Sequence, residues 1–180
     1  MLDPAVGYLI DLGGAVLFAG AAGHKTRRFG EFVESFAAYR VVPARWAGAA
    51  AHAIPILELA VCAALLLPAE HARGALAASG LLIAYAAAIA LNLARGRREL
   101  DCGCAGPGRR RPIAAWMVWR NLILALVLGI AASPWTARAL EEVDYLTVAG
   151  GLTAVVLLYL AVDRLAADVA PKGIAVRGAA

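Results

Sequence analysis

Five long apolar blocks limit what this chain can become. They cover about 5–23, 46–68, 74–93, 113–132 and 146–165. A helix needs about 20 mostly apolar residues to cross roughly 30 Å of hydrocarbon. In lipid a lone segment must satisfy its own backbone, which a helix does and an open strand does not. The sequence therefore reads as an all-α polytopic membrane protein, a bundle of about five transmembrane helices forming one domain over 1–180. The 62% hydrophobic content exceeds that of soluble domains and agrees with this class. The first block is the weakest because Asp11 interrupts it. It does not read as a signal peptide, since the basic residues follow it rather than precede it.

The net charge of +4 is distributed by loop rather than gathered on one surface. Lys25, Arg27, Arg28, Arg40 and Arg45 lie between blocks one and two. A second group, from Arg95 to Arg111, lies between blocks three and four. Arg164, Lys172 and Arg177 follow block five, whereas the two remaining loops hold only Arg73 and Arg138. The positive-inside rule then puts this multi-pass chain in the cell membrane with its N-terminus outside and its C-terminus in the cytoplasm. The same distribution argues against nucleic acid as a partner and makes the bilayer the first one.

Between blocks one and two, Phe29, Phe32, Val33 and Phe36 recur at the spacing of one helix face. This pattern predicts an amphipathic helix over about 31–40, lying in the cytoplasmic interface. Pro43 ends it, and Pro55 is expected to kink the second span.

Chemistry concentrates at "LDCGCAGPGRRRP", residues 100–112. Cys102 and Cys104 are separated only by Gly103. A disulfide between them requires a tight turn, which the glycine permits. Such a bond is strained and readily reduced, and the nearby arginines favour the thiolate. Three readings stay open: reversible thiol chemistry, soft-metal binding by the two thiolates, or no chemistry. Zinc would need two further ligands, and His24, His52, His71 and Cys62 are not at short spacing. Cys62 reads as a small packed apolar residue.

Ionisable and amide groups inside spans form a second constellation. Glu58 lies about 18 Å and Arg120 about 10 Å in from the cytoplasmic side, close enough to pair inside the bundle. Asn121 follows Arg120 directly. The alternatives are an ion pair fixing helix register and a role toward substrate, quinone or protons. No cofactor is required by the sequence; a quinone is the one it leaves open. Asp11 is expected to reach water from a helix end, and His71 to be an exposed loop residue.

Several motifs, in order, resemble the methylamine utilisation protein MauE family, a branch of the DoxX-like membrane proteins. They are "FGEFVESFAAYRVVP", "IPILELAVCAALLL", "ALNLARGRRELDCGCAG" and "VWRNLILAL". The resemblance spans roughly 8–132, and its most specific element is the Cys-Gly-Cys after the Arg-Gly run. Ala105 stands where the family usually carries an aromatic residue. The resemblance implies a DoxX-like bundle that serves methylamine metabolism through processing, transport or disulfide maturation of methylamine dehydrogenase or another exported client. It further implies a thioredoxin-like partner, with Cys102 and Cys104 as the redox pair and Glu58, Arg120 and Asn121 in support. A membrane transporter or binding protein for a soft metal or small molecule, and a non-catalytic scaffold subunit, are the alternatives.

Overall fold

The computed structural model describes residues 1–101 and 112–169. Cys102 and Cys104 lie outside the described residues. Six helices follow in order: α1 (Pro4–Arg27), α2 (Phe29–Tyr39), α3 (Ala44–Leu66), α4 (His71–Ala94), α5 (Ala115–Ala131) and α6 (Glu142–Val169). The all-helical, membrane-type architecture expected from the apolar blocks is what the structure shows. Four helices are long and apolar enough to cross a membrane, namely α1, α3, α4 and α6. The fourth apolar block forms the shorter α5, with 17 residues. That is the lower limit for a span.

Local chemistry sets the helix ends. Asp3 caps α1 by accepting the Ala5 N–H at 2.9 Å, with Pro4 as the first helical residue. The chain turns at Arg28 and enters α2 at once. Arg40 ends α2 in the left-handed region at φ 50°. Gly96, at φ 73°, closes α4 in the conformation glycine tolerates best. Its N–H bonds the Leu93 carbonyl, and the Arg97 N–H bonds that of Asn92. α3 continues through the buried Pro55 to Leu66.

The bundle core is made largely of small residues. Ala15, Ala75, Ala78, Ala125 and Ala131 surround Phe18, Leu65 and Leu128 where α1, α3, α4 and α5 meet. Small residues let helix backbones approach closely, which is the main source of packing energy in lipid. Gly74 is the tightest case: a Cβ there would lie 2.8 Å from the backbone of Ala64 and Leu65. The Ser79 hydroxyl adds a hydrogen bond to the Ala125 carbonyl across α4 and α5. The outer faces are apolar, with Ile56, Leu59, Leu76, Leu126 and Leu157 all at least half exposed. Polar groups such as Asp11, Lys25, Glu58 and Asn121 are buried instead. That inversion belongs to a protein whose solvent is lipid.

α6 lies at the edge of the bundle. It packs against α1, where Gly151 receives the Leu9 side chain. At the same end, Leu2 pairs with the 134–136 segment through two backbone hydrogen bonds. Arg138 joins Asp3 to Asp144 with contacts of 2.6–2.9 Å, tying the start of α1 to the start of α6.

Candidate functional site

The end of the bundle that carries the α1–α3 and α4–α5 connections also carries its polar chemistry. Lys25, in the last turn of α1, turns inward and places Nζ 2.6 Å from Glu58 Oε1 on α3. The Tyr85 hydroxyl, from α4, donates to the same oxygen at 2.8 Å. The side chains of Lys25 and Glu58 are 6% and 0% exposed. The rings of Phe32 and Tyr85 face the ammonium at 5.6 and 5.5 Å, distances of a cation–π contact. Buried charges are tolerated in apolar surroundings only when paired in this way. Glu58 Oε2 has no hydrogen-bond partner among the described residues.

The expected Glu58–Arg120 pair does not form. Glu58 takes Lys25 because α1 continues past block one by a full turn, carrying the ammonium back into the bundle. Arg120 instead bonds Asp163 on α6 at 3.0 Å. The rings of Trp116 and Tyr159 flank its guanidinium at 5.2 and 5.9 Å. Neighbouring residues on a helix point about 100° apart. Asn121 therefore faces elsewhere, into a cavity.

This cavity encloses about 100 Å³ between α1, α2, α3, α4 and α5. Lys25, Phe32, Phe36, Tyr39, Tyr85 and Asn121 form the part of its wall that bears rings and donors. Asn121 is 4% exposed, and its amide makes no hydrogen bond among the described residues. The apolar stripe of α2 is thus turned onto the bundle. Phe29 meets the His52 ring at 4.5 Å in a tilted contact, while Phe32 and Phe36 line the cavity. The helix begins two residues earlier than the sequence pattern suggested, at Phe29.

Below the cavity, Asn92 and Arg97 hold α2 in place. Asn92, fully buried, donates to the Tyr39 carbonyl at 3.1 Å. Arg97 donates to the Ala38 carbonyl at 2.8 Å and to Asn92 Oδ1 at 3.1 Å. These carbonyls belong to the last turn of α2 and have no partner within that helix. The 92–97 segment thereby has a structural job: Asn92 and Arg97 close α2, and Gly96 makes the turn between them. Beyond it, Asp101 and Pro112 form an antiparallel bridge, and the Ile113 N–H bonds the Leu100 carbonyl at 3.0 Å. In the sequence, Cys102 and Cys104 fall between Asp101 and Pro112.

Two further expectations need correction at the opposite end. Asp11 does not reach water; it is 2% exposed and neither carboxylate oxygen has a hydrogen bond among the described residues. His71 is not a loop residue but opens α4, with Nδ1 3.6 Å from Asp11 Oδ2. Trp135 covers its ring at 4.1 Å. Sequence inspection missed this pair because 60 residues separate its members. Cys62 packs, partly buried, against the alanine-rich core. No cluster of three or more metal-ligating side chains occurs among the described residues.

The family model described as "Methylamine utilisation protein MauE" matches residues 4–134. The chain belongs to the MauE family. The match covers α1 to α5 and stops before α6, the helix at the edge of the bundle. A MauE protein of Paracoccus denitrificans is 37% identical over 132 residues, 73% of this chain and 71% of that protein. One of Methylophilus methylotrophus is 34% identical over 176 residues, 94% of this chain and 90% of its own. The MauE protein of Paracoccus versutus is 36% identical over 152 residues, covering 84% and 82%. No solved structure matches the chain.

Proposed function

We propose that this MauE family member serves methylamine utilisation as a membrane-embedded maturation factor, working by thiol–disulfide exchange at Cys102 and Cys104. The observation that supports this reading is the hydrogen bond from Ile113 to Leu100, which joins the described residues that flank the Cys-Gly-Cys sequence at the ends of α4 and α5. The names of the relatives supply the pathway. With the basic loops in the cytoplasm, the pair faces a reducing compartment, so its resting form is the dithiol. One thiolate attacks the disulfide of a thioredoxin-like partner and forms a mixed disulfide. The second thiolate then resolves it. One disulfide is made in this chain for the one broken in the partner, and two electrons pass to the partner, which serves an exported client. Glu58 and Arg120 act by holding the helices of the bundle together, and Asn121 lies beside them in the wall of the cavity.

The test is trapping. Cys104→Ser removes the resolving thiol and should accumulate a mixed disulfide through Cys102 under mild oxidation. Impermeant maleimide, applied from each side of the membrane, fixes which side the pair faces. If no mixed disulfide and no 102–104 bond is ever captured, and Cys102→Ser leaves methylamine-dependent growth intact, the reading fails. Tight Cu(I) binding that disappears in Cys104→Ser would replace it with a soft-metal role.

A further inference from the structure

The two ends of the bundle treat their arginines differently. At the end where α4 begins, Arg73 meets Glu70 at 3.0 Å, and Arg138 meets Asp3 and Asp144. At the other end Lys25 is taken by Glu58 and Arg28 by Glu31. Arg40, Arg45, Arg95, Arg97 and Arg98 have no carboxylate partner among the described residues. Glu34 and Glu99 are the described carboxylates left to balance them. Two of these arginines are held by neutral acceptors. Arg95 donates to the Arg40 carbonyl at 3.4 Å, and Arg97 to the Ala38 carbonyl at 2.8 Å. The end of α4 is thereby drawn onto the end of α2, with the guanidinium charge fixed in place and not cancelled.

Arg40 occupies a costly position. It ends α2 at φ 50°, a conformation that glycine adopts freely and an L side chain adopts at a cost. Its side chain is exposed and makes no hydrogen bond or ion pair among the described residues. A cation thus stands where glycine would fold better, which points to a use outside the chain. The surroundings indicate which. Leu91, one helical turn before Arg95, is 42% exposed, and Trp46, in the first turn of α3, is 58% exposed. An exposed leucine suits the acyl region and a tryptophan the head-group level, so these arginines stand at the depth of lipid phosphates. Guanidinium groups match phosphate oxygens in charge and in paired N–H geometry, and basic sites between helix ends recognise anionic head groups.

We infer that Arg40 and Arg95 bind the phosphate of an anionic phospholipid where the ends of α2 and α4 meet. The inference is independent of the cysteines. The full chain, delipidated in a zwitterionic detergent, is titrated with phosphatidylglycerol, phosphatidylcholine and inorganic phosphate, and binding is read from the rise in Tm. Phosphatidylglycerol should bind saturably, and at least about fivefold more tightly than phosphatidylcholine, whose phosphate is already neutralised by its own choline. Arg40→Gly and Arg95→Gln should each weaken phosphatidylglycerol by about fivefold, the worth of one basic residue beside an anionic lipid. Arg40→Gly should do so without lowering the Tm of the lipid-free chain, which separates lost binding from lost folding. Arg73→Gln, at the opposite end, should leave binding unchanged. If Arg95→Gln fails to fold, Arg40→Gly decides. Equal binding of the two lipids, or undiminished phosphatidylglycerol binding in Arg40→Gly, overturns the proposal. Saturable binding of inorganic phosphate in competition with the lipid overturns it in favour of a site for a free anion.

Discussion

Lys25 and Glu58, 33 residues apart in sequence, meet at 2.6 Å in the interior of the bundle. Removing one partner leaves a buried, uncompensated charge, which costs about 3–5 kcal/mol. Lys25→Met should therefore lower stability by about that amount. Lys25→Met combined with Glu58→Gln should recover most of the loss, because no net charge is then stranded. Equilibrium unfolding of the four corners of this cycle measures the coupling; additive losses would show that the pair contributes nothing as a pair.

Gly74 tests the close approach of α3 and α4. Gly74→Ala forces a methyl group against the backbone of Ala64 and Leu65 and should cost about 1–3 kcal/mol. Gly80 lies on the same helix with open space where its Cβ would be. Gly80→Ala should be neutral or stabilise by up to about 1 kcal/mol, through helix propensity alone. Thermal unfolding of the two variants side by side separates packing from propensity.

Asn92 closes the last turn of α2, so Asn92→Ala should cost about 1–3 kcal/mol and act locally. Hydrogen exchange should quicken at the amides of 36–40 while the core of α1 and α4 stays protected. Uniform loss of protection would mean that Asn92 supports the whole bundle rather than one helix end.

At the other end of the molecule, the Arg138 guanidinium hydrogen-bonds the Asp3 carboxylate and holds its pKa below the ordinary range. A carboxyl lowered on folding contributes stability that is present above its unfolded pKa, near 4, and lost as pH falls through the folded value. The attachment of Leu2 and Asp3 to the 134–138 segment should thus be constant from pH 5 to 8 and loosen below about pH 4. Hydrogen exchange at the first residues of the chain reads this directly. Arg138→Gln should expose those amides already at neutral pH and flatten the pH response.

The length of the apolar blocks made most helices legible, and the phenylalanine spacing made α2 legible, because both depend on nearest-neighbour periodicity. Lys25 was not legible. Counted by position it belonged to a basic loop, and only the extra turn of α1 brings it to Glu58. Asp11 and His71 failed for the same reason: a partner far along the chain leaves no local pattern. Arg120 stood out as a charge within an apolar block, but Asp163 looked like the end of a span rather than its counter-ion. Sequence marks which polar residues must find partners; it takes the packing of helices to say which.

Arg120 and Asn121 occupy consecutive positions on α5, one gripping α6 and the other facing the cavity. Together they act as two marks on a dial. A rotation of α5 that moves Asn121 swings Arg120 by the same angle relative to Asp163. The wall of the pocket and the attachment of the outermost helix are therefore carried by neighbouring residues of one helix.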